Sequence, residues 1–261
     1  VGHAHAPDTP NTLTEPEEHP VTLWADAIPH SLRTARRWVA MLAELRDGKV
    51  TKVPYRVSDG RPASVTRPED WATWEDAVAL LESGRPIGKR GNREPAHAVG
   101  FVLGDGFAGI DLDGVRDPAT GRLTDEAAEV VAMMNSYTER SPSGKGLHIL
   151  ACGSIPHSVK RPGFEMYNEL RYFTVTGNQY GASEFVACNI EDRQDEMNAL
   201  FVVYDGDYEP APRPVRPPPC ANRARPPAAG RPAACTPPAT AQTPGRPAPG
   251  GPPPEFRGHN T

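Results

Sequence analysis

The chain has 261 residues, a net charge of −5 and 31 prolines, long enough for one sizeable domain with extras but far from uniform. From Pro210 onward seven arginines stand against Glu255 alone, so this stretch's +6 leaves −11 on the rest, which argues against holding nucleic acid by bulk charge and leaves room for a local basic groove, without settling the partner. No apolar run approaches the ~20 residues that cross a bilayer, and no basic-then-apolar segment opens the sequence, so a cytoplasmic protein without membrane contact is expected.

Residues 1–22 read as a flexible leader, with His3 and His5 solvated because no third ligand follows at metal-binding spacing. A helix is expected after Ser31 as N-cap, carrying Leu32, Ala35, Trp38, Val39, Leu42 and Leu45 on one face and ending at Gly48. Lys49–Tyr55 reads as a strand whose Lys49 and Lys52 suit a solvated edge or a template contact. Thr73 to Gly84 reads as a capped helix, with Asp76 in the place of the usual capping-box Glu and Trp71 and Trp74 packed against the fold.

After a polar, basic connection over Arg85–Arg93, Ala98–Leu103 and Phe107–Asp111 read as a hairpin turning at Gly104-Asp105-Gly106. Its far end presents Asp111 and Asp113, which alternate onto one face while Ile110 and Leu112 face a core. Alone, such a pair is more often a polar strand end than a site; as a site, two like charges call for a compensating cation, commonly a divalent metal. Leu123–Met134 is an amphipathic helix with core methionines. Strands are expected at Leu147–Ala151, Phe164–Tyr167 and Arg171–Gly177. This order favours an α+β domain with a mainly antiparallel sheet. The four cysteines form no C-x-x-C pair, and neither a disulfide framework nor a zinc site is indicated.

The loop Ser141-Pro142-Ser143-Gly144-Lys145-Gly146 resembles a Walker A phosphate loop only superficially, because Gly146 follows Lys145 and Glu139 stands where the first glycine belongs. Its hydroxyls, accessible backbone N–H groups and lysine still suit a phosphate, although an ordinary Ser/Gly turn accounts for them equally well. His148 on the following strand and Glu165 further on complete a set of three carboxylates, a histidine and a basic glycine-rich loop. Such a set is what metal-bound triphosphate and nucleotidyl transfer require.

In order, Gly109–Gly114, Ser136–Ile149 and Glu165 through Gly177 resemble the three motifs of phage- and plasmid-type primase-polymerases of the archaeo-eukaryotic primase superfamily. Lys49–Tyr55 and Trp71–Ala77 resemble the start of that domain. The resemblance implies a catalytic domain over residues 23–208 with an RNA-recognition-like antiparallel sheet, flanking helices and an active-site cleft between two α/β units. A disordered Pro/Ala/Arg-rich tail is expected to follow over residues 209–261. It implies Mg²⁺ or Mn²⁺ on Asp111, Asp113 and Glu165, a triphosphate contact at His148, and further nucleotide contacts from Ser141, Ser143, Lys145, Gly146 and Arg171. The implied partners are a single-stranded DNA template, an NTP or dNTP, and a replicative helicase supplied separately.

Two departures stand out. Asn168-Glu169-Leu170 occupies a place where Asp and Gly near a tight turn are expected, making Glu169 a rival third carboxylate, and Tyr208 gives way to the Pro-rich stretch where family members continue into a helical segment and a helicase. The second departure admits a non-catalytic or truncated module that binds single-stranded nucleic acid or nucleotide. A rolling-circle replication endonuclease is the other rival; it needs a second histidine that His148-Ile149-Leu150 lacks, and a nucleophilic phenol such as Tyr167 or Tyr172.

Overall fold

A computed structural model describes residues 21–181 and 188–205; residues 1–20 of the leader expected over 1–22, and the Pro-rich tail, lie outside the described residues. The architecture is α+β, with two main antiparallel sheets and four α-helices among these residues. None of those helices is long and apolar enough to cross a membrane.

The first sheet joins β1 (Trp38–Arg46), β2 (Lys49–Tyr55), β5 (Ala98–Val102) and β11 (Tyr172–Thr174) in the order β11-β5-β1-β2. Here the sequence expectation fails: the helix expected after Ser31 is one turn, α1 (His30–Arg33), and the rest is β1. The reason lies in the turn. Asp47 and Gly48 both take positive φ, 50° and 74°, the geometry of a two-residue hairpin loop, so Gly48 closes a hairpin instead of capping a helix. Trp38 to Leu42 are buried in succession, so a strand covered on both faces mimicked helical spacing. Trp38, Ala40 and Leu42 pack with Trp74, Ala77 and Leu80 of α2 (Trp74–Ser83). That helix begins as expected: Thr73 Oγ1 accepts from the Asp76 N–H at 3.2 Å, and Gly84 ends it at φ 61°.

The second sheet runs β7-β8-β6-β10-β9, where β6 is Phe107–Leu112, β7 Thr138–Arg140, β8 Leu147–Cys152, β9 Val159–Arg161 and β10 Phe164–Tyr167. One face carries Ile110, Leu112, Leu147, Ile149 and Met166 against α3 (Asp125–Met134) and α4 (Gln194–Asp205). Met134 belongs to that core, whereas Met133 is exposed, so not every methionine is core. The other face joins the first sheet in a shared core containing Phe101, Tyr137, Leu150, Tyr167 and Phe173. A small hairpin, β3 (Ile87–Lys89) with β4 (Asn92–Glu94), replaces the expected polar connection; it turns around Arg90-Gly91 with Gly91 at φ 90°.

The expected hairpin of β5 with β6 does not form. Both edges of β5 are already paired, to β1 and β11, so the chain leaves the first sheet at Gly104–Gly106 and enters the second. Arg37, almost fully buried, donates to the carbonyls of Val102 and Leu103 at 2.7 Å each, pairs with Asp105 and stacks 4.5 Å from the Trp71 ring centroid. A second crossing, Asn168–Arg171, leads from β10 back to β11. A third follows β11, after which Gln179 bridges to Glu139 and the Tyr180 N–H donates to the Thr138 carbonyl at 2.9 Å.

Cys152 and Cys188 are both disulfide-bonded, contrary to the reading of the cysteine spacing. Proximity here comes from the fold: the chain returns beside the end of β8, where the Cys152 N–H donates to the Glu191 carbonyl at 2.8 Å.

Candidate active site

One row of side chains crosses the second sheet. Its register sets Glu139 opposite His148, His148 opposite Asp111, Asp111 opposite Glu165 and Glu165 opposite Lys160, on strands β7, β8, β6, β10 and β9. Because strand residues alternate faces, the row below it on the same face holds Tyr137, Leu150, Gly109 and Tyr167, which lie in the shared core or pack beside Phe173. Asp111 and His148 thus stand where the core shared by the two sheets gives way to solvent, the candidate cleft of the site. Side-chain exposure rises from 0% at Glu139 through 7% at His148 and 26% at Asp111 to 34% at Glu165, so a ligand reaches Asp111 and Glu165 but not Glu139.

His148 is held from three sides. Its Nδ1 lies 3.2 Å from the Thr174 carbonyl and 3.8 Å from Glu139 Oε1, its Nε2 lies 3.8 Å from Asp111 Oδ1, and the Phe173 ring packs on it at 5.0 Å between centroids. Phe173 reaches that place because position 109 is glycine; a Cβ there would collide with its ring.

Asp111 is the electrostatic centre. Burial pushes its carboxyl up from the ordinary range, opposed by His148, and Glu165 and Asp113 push it further up while Lys52 on β2 pulls it down. Asp113 lies one residue past β6, exposed, with its backbone N–H on the Gly163 carbonyl at 3.2 Å. Glu165 Oε2 accepts the Tyr167 hydroxyl and lies 3.6 Å from Arg171 Nη2, and the Arg171 guanidinium stacks 4.9 Å from the Tyr167 ring centroid. Glu169, the rival carboxylate, is exposed in the second crossing, outside the row.

The Ser141–Gly146 loop joins β7 to β8 beside this row, a turn between antiparallel strands and not the strand-to-helix turn of a P-loop. Ser141 Oγ accepts from the Gly146 N–H at 3.1 Å and lies 3.0 Å from Ser143 Oγ, while Lys145 is exposed. Arg116, which the sequence did not single out, donates through Nη1 to the Gly144 carbonyl at 2.8 Å. Gly146 presses against the Leu112 carbonyl and the Asp113 Cα, which fixes the loop at the carboxylate end of β6.

Asp111, Asp113 and Glu165 offer only hard oxygen donors with mutual repulsion at Asp111, a donor set suited to Mg²⁺ or Mn²⁺. Among the described residues no three His, Cys, Asp or Glu side chains are already gathered as ligands, and Glu165 is engaged by Tyr167 and Arg171. Four residues of the site escaped sequence reasoning: Glu139, Tyr167 as partner of Glu165, Arg116 and the charge of Lys52 acting on Asp111. Glu139 binds backbone N–H groups, and Lys52 acts on Asp111 through its charge alone, from a strand of the other sheet.

No known protein-family model matches the sequence. The chain is similar to a curated DNA primase-polymerase of Nitratiruptor phage NrS-1, at 35% identity over 181 residues, covering 66% of this chain and 22% of that relative. It therefore spans about a fifth of the relative's length. That similarity, beside three motifs whose residues His148, Asp111 and Glu165 pair on neighbouring strands of one sheet, supports a phage-type primase-polymerase domain.

Proposed function

We propose that this domain is a metal-dependent, template-directed nucleotidyltransferase, a DNA primase or polymerase of phage- or plasmid-type replication built on an archaeo-eukaryotic primase-like core. The observation that carries the reading is the cross-strand row His148–Asp111–Glu165 at the cleft mouth, beside a Ser/Gly/Lys loop anchored on the same strand end. Asp111, Asp113 and Glu165 would hold Mg²⁺ or Mn²⁺, which when bound lowers the pKa of a primer 3′-hydroxyl and stabilises the charge developing on pyrophosphate. His148 and Lys145 bind and orient the triphosphate, and the hydroxyls of Ser141 and Ser143 line its path in the turn that Gly146 closes. Arg171, now on Glu165, is the nearby cation that a phosphate would recruit. Lys52 supplies local positive charge across the cleft, which a single-stranded DNA template needs on an otherwise acidic protein. A separately supplied replicative helicase fits as the partner that provides that strand.

Primer synthesis and extension of NTPs or dNTPs on single-stranded DNA with Mg²⁺ or Mn²⁺ test the reading. Asp111→Ala/Asp113→Ala is expected to abolish product; equal activity in this variant and the wild type sinks the assignment. A binding module would instead keep salt-sensitive nucleotide or strand binding in that variant and form no product with the wild type.

A further inference from the structure

Glu139 takes no part in the chemistry above, yet it is fully buried and accepts from every group that touches it. Its Oε2 receives the Tyr137 hydroxyl at 2.9 Å and the N–H groups of Thr176 and Gly177 at 3.0 Å each; its Oε1 receives Thr176 again at 3.2 Å. These two backbone groups belong to the third crossing between the sheets, two and three residues after Thr174, whose carbonyl faces His148 Nδ1.

We propose that Glu139 is the positioning residue of His148: it fixes the imidazole by its Nδ1 edge and aims Nε2 into the cleft, so that the ring meets the triphosphate in one orientation. The inference rests on the nucleotidyl-transfer reading. Two groups face Nδ1, the Thr174 carbonyl at 3.2 Å and Glu139 Oε1 at 3.8 Å, and both are acceptors, so this edge of the ring is held through an Nδ1–H, while Nε2 needs a proton of its own to donate to a phosphate oxygen. Glu139 controls both: one directly, the other by anchoring the Thr176 and Gly177 N–H groups that follow it. Phe173 closes the ring from the side, and Asp111 at 3.8 Å from Nε2 marks the direction in which that nitrogen points. Buried carboxylates that orient a working histidine through its far nitrogen recur as supporting groups of catalytic and metal sites.

Glu139→Gln separates this role from a merely structural one. Its shape is kept, but an amide NH₂ replaces one acceptor oxygen, and a donor facing Nδ1 no longer favours the proton there. Binding of ATP and dATP with Mn²⁺ is measured by calorimetry on the full chain for wild type, Glu139→Gln, His148→Ala and the double variant. Each single substitution is expected to weaken binding about tenfold or more, and the double variant to bind no more weakly than His148→Ala alone. Losses that add in the double variant, or Glu139→Gln binding like wild type while His148→Ala is weakened, overturn the positioning role and leave the functional reading standing. A wild type that binds neither nucleotide overturns the functional reading itself. Independently of whether the variants fold, ¹⁵N spectra of the wild-type imidazole should show a proton on Nδ1; a neutral ring protonated only on Nε2 overturns the proposal.

Discussion

Gly146 lies against the carbonyl oxygen of Leu112 so closely that no side chain fits between them. This contact links the loop of the second motif to the strand end that carries Asp111 and Asp113, and the contacting atoms on both sides are backbone. Gly146→Ala is therefore expected to lose about 1–3 kcal/mol of stability, the range for an overpacked interior site. It should also weaken nucleotide binding in the protein that remains folded. Denaturant unfolding paired with nucleotide titration checks both; a variant with wild-type values for each would show that the loop does not depend on this approach.

The same reasoning applies to Gly109 beneath Phe173. Gly109→Ala should push the ring off its place against His148, again at about 1–3 kcal/mol, and Phe173→Leu should recover part of that loss by removing the collision. A double variant no more stable than Gly109→Ala alone would contradict the steric account.

Leu170 adopts φ 57° and is 64% exposed, a left-handed conformation that a leucine holds only at a cost. A glycine would take this φ without a Cβ penalty. Leu170→Gly should stabilise the protein by about 1 kcal/mol, read as a higher denaturant midpoint with an unchanged slope.

Asp111 gives a pH-dependent prediction. Burial, with Glu165 and Asp113 added, raises its carboxyl above the unfolded value, so the group favours the folded state only while protonated. That contribution is fully present below the unfolded pKa near 3.8 and is lost as pH rises through the raised folded value. Asp111→Asn should accordingly stabilise the metal-free protein at pH 7 and give no gain at pH 3, compared by urea unfolding at the two values. Equal effects at both would remove the electrostatic explanation.

Elements whose signals were local could be read from sequence. Strand β2, strand β10 and helices α2 and α3 have alternation, caps and turn residues that agree with one another. Strand β1 could not be read correctly, because Trp38–Arg46 combines helix-forming residues with burial on both faces, and the hairpin information sits in Asp47-Gly48 alone. Of the site, Asp111, His148 and Glu165 were legible as chemistry. Their adjacency required the register of three strands, and the cleft required β5 and β6 to part company into different sheets. Glu139 reads as an ordinary strand residue between Thr138 and Arg140, since its partners are backbone amides 37 and 38 positions away.

Arg37 and Glu139 brace two of the three places where, among the described residues, the backbone passes between the sheets, one by donating to carbonyls and the other by accepting from amides. Walls tied at several points cannot swing apart like the lobes of a clamshell without breaking buried bonds. The aperture is thus set when the protein folds, and the entropy of shaping it is already spent before any ligand arrives. On the nucleotidyl-transfer reading, discrimination among nucleotides and strands would fall to the exposed cations at the rim, Lys52, Lys145 and, once released from Glu165, Arg171, and exchanging those side chains is the direct route to changing what the slot accepts.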